Sequence, residues 1–516
     1  MSTDDMFIWT AISIAVAAPL LLLLLHSFLC RKNKTKPRRL PPGPSGWPLI
    51  GNLFHVGYDY NALHKRLVGI QKKYGPIFMI RVGWQNMLVI ASADAAMELF
   101  KTHDQAFFNR QPIQTLQLPD DDIYQLTPWA SYGPIWRINR RLYASLFSRT
   151  TMNSTLGKRR QFLDQIIEWL LAEEKEGRSV EIKHLTLVAF ANLFGNLFFS
   201  KDVMDLKSAS GNKLYQLLEE IVVVSSKPNV ADVYPWLRNL DPQNLASRMK
   251  KAQDAFVNII DEFAKERKSR DTDWRNNKEE KDYWDLLMDF EGNGKDEPMK
   301  LSDRYINFFI TEIFIAGIDS IITPLEWVMT EVMRNPEVMR KAKDEIAQVV
   351  GYNKKIEESD VESLPYLGSV IKETLRLHPP APMLIPRTIV EDTEFMGYII
   401  PKDTAVLVNF WSIGRDSDLW DDPLSFNPDR FIGNNTDYRG QHSQFLPFGA
   451  GRRMCAGLPL VHQILPIVVG SLLQSFDWTL ETGVTPESID MDEKIETSLK
   501  KSIPLRIIPR ASVLAV

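Results

Sequence analysis

The sequence predicts a mainly α-helical protein with a minor β region, preceded by a single N-terminal transmembrane helix. Three observations predict it. Apolar residues recur with the helical period across 158–175, 246–270, 303–334, 336–350 and 366–377. Short alternating apolar pieces near 77–81 and 87–90, a strand-and-turn zone through 385–410 and a strand-like stretch at 495–508 supply the β component. Residues 7–30 contain no Asp, Glu, Lys or Arg.

The uncharged stretch exceeds the roughly twenty residues that carry a helix across a bilayer core. A cleaved signal peptide fits less well. The apolar run is too long, the charges before it (Asp4 and Asp5) have the wrong sign, and no small-x-small site follows. Arg31, Lys32, Lys34, Lys36, Arg38 and Arg39 form a basic collar behind it, giving residues 1–40 a net charge of +4 and the remainder −8. Basic flanks stay cytosolic, which places Asp4 and Asp5 in the lumen and the body in the cytosol. With only two cysteines in 516 residues, Cys30 and Cys455, a reducing compartment agrees with that orientation.

Pro41-Pro42-Gly43-Pro44, with Pro48 soon after, makes a stiff extended segment because proline fixes φ and removes a donor. The expected organisation is therefore a luminal tip and anchor (1–30), a basic collar and Pro-rich hinge (31–50), and one large body (51–516). Residues 268–300 are charged and poor in apolar side chains, and are expected to form an exposed connector. A 44% hydrophobic, 24% charged composition is that of a folded protein, and a net charge of −4 gives no reason to expect nucleic acid.

The chemistry concentrates around Cys455. In Phe448-Gly449-Ala450-Gly451-Arg452-Arg453-Met454-Cys455-Ala456-Gly457, the glycines permit positive φ and close backbone approach to a flat object. A thiolate is a soft ligand for iron, and Arg453 offers a fork of donors suited to a carboxylate. Taken alone, the segment also reads as a buried free cysteine in a Gly-rich turn. Further upstream, Glu373-Thr374-Leu375-Arg376 puts two charges on one helix face, and Trp136 and Arg140 share a face at i,i+4. Gly317, in Ala316-Gly317-Ile318-Asp319-Ser320, costs a helix about 1 kcal/mol against alanine, so something is expected to come close there.

Together these segments resemble the cytochromes P450. Residues 448–457 match all five fixed positions of the family's Phe-x-x-Gly-x-Arg-x-Cys-x-Gly heme signature. Glu373 and Arg376 resemble the K-helix pair, and Pro428-Asp429-Arg430-Phe431 resembles the Pro-Glu-Arg-Phe segment whose arginine completes a triad. Residues 136–140 are similar to the C-helix Trp-x-x-x-Arg, and 316–320 to the oxygen-groove motif of the I helix. Residues 376–382, 397–402, 409–420 and 456–460 look most like plant microsomal members, in particular the group containing geraniol hydroxylases and iridoid oxidases.

The resemblance implies the cytochrome P450 fold and heme b (iron protoporphyrin IX) ligated by Cys455. Phe448, Gly449, Gly451, Gly457, Arg453, Trp136 and Arg140 would surround it, and Glu373, Arg376 and Arg430 would form a structural triad behind it. Asp319 and Ser320 would be the catalytic pair that organises water for proton delivery. This chain departs from the common plant motif: Ser320 replaces a threonine, Ile321 and Ile322 replace hydroxyl residues, and Pro324 follows, consistent with a local kink. The implied reaction is oxidation of a small hydrophobic plant metabolite, a monoterpenoid or iridoid, in the endoplasmic reticulum membrane. Electrons would come from NADPH through NADPH–cytochrome P450 reductase, docking near Arg452 and Arg453. Alternatives are the same chemistry on an alkaloid or phenylpropanoid, a heme-thiolate isomerase or dehydratase needing no reductase, and a non-catalytic heme sensor. Substrate contact is expected at about 109–130 and 205–240, at Thr311, Phe314 and Ile315, at 382–386 with the apolar Met383, Leu384 and Ile385, and at 498–502.

Overall fold

The computed structural model describes residues 39–57, 60–110, 113–116, 126–205, 212–269, 281–295, 297–351 and 354–512. The expected anchor at 1–30 and most of the basic collar lie outside the described residues.

Ten helices of twelve or more residues carry the fold among the described residues: α1 (Leu63–Tyr74), α2 (Pro134–Leu146), α3 (Leu156–Lys175), α4 (Ile182–Phe199), α5 (Lys213–Ser225), α6 (Leu245–Ser269), α7 (Asp303–Arg334), α8 (Pro336–Val349), α9 (Pro365–Leu377) and α10 (Leu458–Ser475). The largest sheet has the order β1 (Ile77–Val82), β2 (Gln85–Ile90), β7 (Ala405–Val408), β4 (Arg387–Thr388), with β2 and β7 parallel. The others are small: β5 (Thr393–Phe395) with β6 (Tyr398–Ile400), β9 (Glu493–Ile495) with β10 (Leu499–Lys501), and β3 (Val180–Glu181), β11 (Arg506–Ala511) and β8 (Phe476–Leu480).

Three helices, α4, α7 and α10, are apolar and long enough to cross a membrane, yet 83%, 72% and 72% of their most apolar windows are buried inside the protein. They are the core. A helix that is hydrophobic all round needs partners all round. Helix α7 is such a case: α4, α6, α8, α9 and α10 all pack on it, and the Ser302 hydroxyl caps its first turn by accepting from Tyr305 N. It is continuous from 303 to 334, through both Gly317 and Pro324. Its C-terminal half is nailed to the β9–β10 hairpin. Trp327 is fully buried, donates from Nε1 to Leu499 O at 3.0 Å, and stacks on His378 at 3.8 Å with rings 4° from parallel.

Two sequence-based expectations change here. Residues 268–300 are not all an exposed connector. Tyr283–Met288 is a short helix with Tyr283, Trp284 and Leu287 buried, and buried Arg267 donates to Asp282 at 2.6 Å and Asp285 at 3.1 Å. Asp282 and Asp285 are neutralised inside the fold by Arg267, which a composition average cannot register. The described part of the Pro-rich hinge also rests on the body: Met79 N donates to Pro42 O at 2.8 Å, and a Cβ on Gly43 would collide with Met79 O.

Under the hairpin, Glu493 accepts from His64 Nε2 at 3.1 Å, pairs with Lys65 at 3.0 Å, and lies 4.0 Å from His378 Nδ1. Burial would raise its pKa, but these partners outweigh it and hold Glu493 at about 2. The folded pKa is depressed, so this stabilisation is complete above the ordinary carboxylate pKa near 4.5 and is lost as pH falls toward 2. Glu493→Gln should therefore cost about 2 kcal/mol at neutral pH and flatten the loss of stability between about pH 4.5 and 2. Melting temperatures of both proteins across that range check it.

Candidate functional site

Cys455 sits in the loop just ahead of α10, with its N–H donating to Phe448 O at 3.1 Å. Gly449 and Gly451 both adopt φ of +69°, which fits glycine, and a Cβ on Gly451 would press on Asp104. Gly457 has an ordinary φ of −83° and caps α10. Cys455 is exposed, yet burial pushes its thiol pKa upward, opposed by the N–H groups of Gly457 and Leu458 and by Arg140 and Arg110. Both facts hold if the surface bordered by Sγ is internal. The same signature appears on α7, where Ala316 and Ser320, one turn apart in an otherwise buried stretch, are exposed.

Beside this thiol, guanidinium groups collect. Arg110, Arg387 and Arg453 are 8%, 5% and 8% exposed, and Arg140 is half-buried. Arg453 stacks over Phe108 (4.2 Å) and Trp136 (5.2 Å) and donates to Phe108 O, Thr127 O and Ala130 O. Arg140 donates to Met454 O at 2.9 Å, and Arg110 to Pro128 O at 2.7 Å while its Nε has no partner among the described residues. Among the described residues, the one carboxylate bonded to any of these four is Asp104, held by Arg387 at 2.8 Å. Burial, with the neighbouring Arg387 and Arg140, brings Arg453 down to about 9, and burial with Arg453, Arg387 and Arg140 lowers Arg110. A flat group carrying two carboxylates and a soft metal fits these residues. Its acids would answer the surplus cations and the orphaned Arg110 Nε, and its metal would meet Sγ. Trp136, Arg140 and Arg453 are thereby brought together with Cys455. Arg110 and Arg387 join them, unflagged by any local motif; Arg110 falls in the loop where substrate contact was expected.

The structure also brings Glu373, Arg376 and Arg430 together. Arg376 forks onto Glu373 with two 2.7 Å bonds, both residues fully buried, and spends its other donors on Gly414 O, Pro423 O and Ser425 O. Arg430 Nε donates to the same carboxylate at 2.9 Å, and Asn427 N at 2.8 Å. These bonds tie α9 to the meander at 414–430, behind the cysteine loop.

On α7, Ser320 Oγ donates back to Ala316 O at 2.7 Å, and Asp319 pairs with Lys500 at 2.5 Å. Gly317 does have a close neighbour, but it is the Phe194 ring of α4: an added Cβ would lie 2.7 Å from Cζ. Phe314, nearly opposite Ala316 around the helix, packs with Phe194, Phe198 and Phe256 and does not face the open side. Thr311 is buried with its hydroxyl bonded to Asn307 O, and Met383 belongs to a second small core. Glu312, which no motif marked, accepts from Thr127 N and Tyr143 OH, both at 2.7 Å, and burial pushes it up to about 7. A separate surface groove of 650 Å³ between α3 and α4 shares none of these residues.

The family model described as cytochrome P450 matches residues 41–507. Iridoid oxidase from Catharanthus roseus is 41% identical over 97% of this chain and 98% of its own length. Geraniol 8-hydroxylase from the same plant is 37% identical (94% and 95%), and 7-ethoxycoumarin O-deethylase from Helianthus tuberosus 36% (95% and 97%).

The Gly317–Phe194 approach has a measurable consequence. Gly317→Ala adds a better helix former yet should lower stability by about 1–3 kcal/mol, because the methyl overpacks against a buried ring. Combining it with Phe194→Leu should recover part of that loss in denaturant midpoints.

Proposed function

The chain belongs to the cytochrome P450 family, and from that premise we propose that it is a heme-thiolate monooxygenase that oxidises a small hydrophobic terpenoid, of the monoterpenoid or iridoid class. The observation that carries the reading is the convergence of one cysteine, the N–H groups at the start of α10 and four guanidiniums, of which, among the described residues, only Arg387 is bonded to a carboxylate. Heme bound there would supply reductive activation of dioxygen. Cys455 would be its ligand, with the N–H groups of Gly457 and Leu458 stabilising the thiolate. Arg110, Arg140, Arg387, Arg453 and the Trp136 indole would hold the propionates. Asp319 and Ser320, at the open face of α7, would hold water and pass protons into the site.

Glu373, Arg376 and Arg430 would keep the cofactor pocket folded without touching the reaction. The terpenoid class rests on the relatives named for such activities, iridoid oxidase and geraniol 8-hydroxylase. Electrons are proposed to come from NADPH–cytochrome P450 reductase, and the protein to sit on the endoplasmic reticulum membrane through residues 1–30. Exposed rings near the first described residues support a membrane-facing edge: Trp47 and Phe54 are each 58% exposed, Trp84 52% and Trp236 57%.

The dithionite-reduced protein under carbon monoxide should absorb near about 450 nm, as thiolate-ligated heme does, and Cys455→Ser should abolish that band. With reductase and NADPH, a panel of monoterpenoids, iridoids, alkaloids and phenylpropanoids should give products one oxygen atom heavier from the terpenoid arms. A band without reductase-dependent product from any arm would defeat the monooxygenase reading. Product from the other arms alone would defeat the terpenoid class.

A further inference from the structure

Asp319 does not stand free over the open face of α7. Lys500 Nζ lies 2.5 Å from its Oδ1, and the hydroxyls of Thr497 and Ser498 both donate to Oδ2. All three partners come from the β9–β10 hairpin, about 180 residues along the chain. Ser498 also receives a 3.2 Å hydrogen bond from Thr323, one turn further along α7. A carboxylate with both oxygens engaged has one rotamer.

Lys500 is an unusual resident. Its side chain is only 6% exposed, and a buried ammonium is costly unless paired. It is paired twice: Glu496 Oε2 lies 3.0 Å away, and Glu496 Oε1 in turn meets the half-exposed Lys494 at 3.0 Å. Burial alone would lower the pKa of Lys500, but Asp319 and Glu496 outweigh it and raise it. Glu496 is held down at about 2 against its own burial by Lys500 and Lys494, so it serves as a fixed counter-ion and not as a proton carrier. The hairpin has no need of Lys500 to stay in place: Trp327 Nε1 donates to Leu499 O at 3.0 Å, and Leu499 N donates to Pro380 O at 2.9 Å. With the fold anchored elsewhere, the ammonium is left with one target inside the site, Asp319.

We propose that Lys500, clamped by Glu496, is a positioning residue for Asp319: it fixes the rotamer of the acid beside Ser320 and so sets how efficiently protons reach the reaction. The inference rests on the monooxygenase reading for its consequence, but not for the contact itself. Proton delivery in the wrong geometry diverts electrons to peroxide in place of product.

The test compares Lys500→Met, which keeps length and loses charge, with Lys500→Arg in the full-length protein. Lys500→Met should keep cofactor content, the carbon monoxide band and KM. Its kcat and its product per NADPH should fall on the order of tenfold, with the missing electrons recovered as peroxide. Lys500→Arg should restore most of the coupling. Wild-type coupling in Lys500→Met would overturn the proposal. So would a loss of turnover that merely tracks lost cofactor, or an Arg variant as poor as Met. A second readout needs no turnover: melting of Lys500→Met, Asp319→Asn and the double variant. Non-additive shifts support the pairing, and additive shifts overturn it. If the wild type forms no product from any substrate, the monooxygenase reading falls, and this thermal cycle alone decides the pairing.

Discussion

Guanidinium groups are rarely packed together out of water without matching acids, because each buried charge loses its hydration and repels its neighbours. Here Arg110, Arg140, Arg387 and Arg453 converge beside Cys455, and among the described residues only Arg387 is paired with a carboxylate, Asp104. Much of the surrounding architecture serves to hold this unbalanced set. Arg453 spends its donors on three backbone carbonyls and stacks on two rings; Arg387 comes from β4 at the end of the largest sheet; Arg140 reaches the cysteine loop from α2. Among the described residues this surplus of positive charge fits a cofactor carrying two carboxylates, and the thiol among these cations would be its metal ligand.

The Glu373 network is built differently. Glu373 meets both Arg376 and Arg430, one carboxylate against two guanidiniums, and every donor of Arg376 is satisfied by that carboxylate or by a backbone carbonyl. Deleting one member there would strand a buried charge. Around α7 a third arrangement appears: Asp319, Lys500 and Glu496 alternate in sign from the open face toward the surface. Saturated hydrogen bonding, a surplus of cations and alternating charge thus distinguish three ionic clusters within one protein.

Much of this was legible in the sequence, for identifiable reasons. Helix α7 is a long apolar segment behind a Ser302 cap, and its expected bounds coincide with 303–334. The Cys455 loop and the Glu373–Arg376 pair are local strings, so spacing alone brings their side chains together. What spacing could not give is contact between distant segments. Arg110, Arg387, Glu312 and Lys500 carry no local motif; their partners lie in other elements. The rotation of α7 was also hidden, because a helix that is apolar on every side has no preferred face to read. Hence Phe314 was expected to meet substrate but packs against α4 and α6, and the neighbour that Gly317 accommodates is Phe194. The Tyr283–Met288 helix was too short, and its flanks too charged, for periodicity to register.

The charge surplus can be tested on the cofactor itself, leaving every residue in place. The cofactor-free protein would be titrated with heme b and with its dimethyl ester, in which both propionates are neutral and the iron is unchanged. If the four arginines are there to meet two carboxylates, the ester should bind on the order of a hundredfold more weakly, since partners of buried charges carry several kcal/mol. Equal affinity for heme and its ester would contradict the assignment of the arginine cluster and, with it, the central claim about the site.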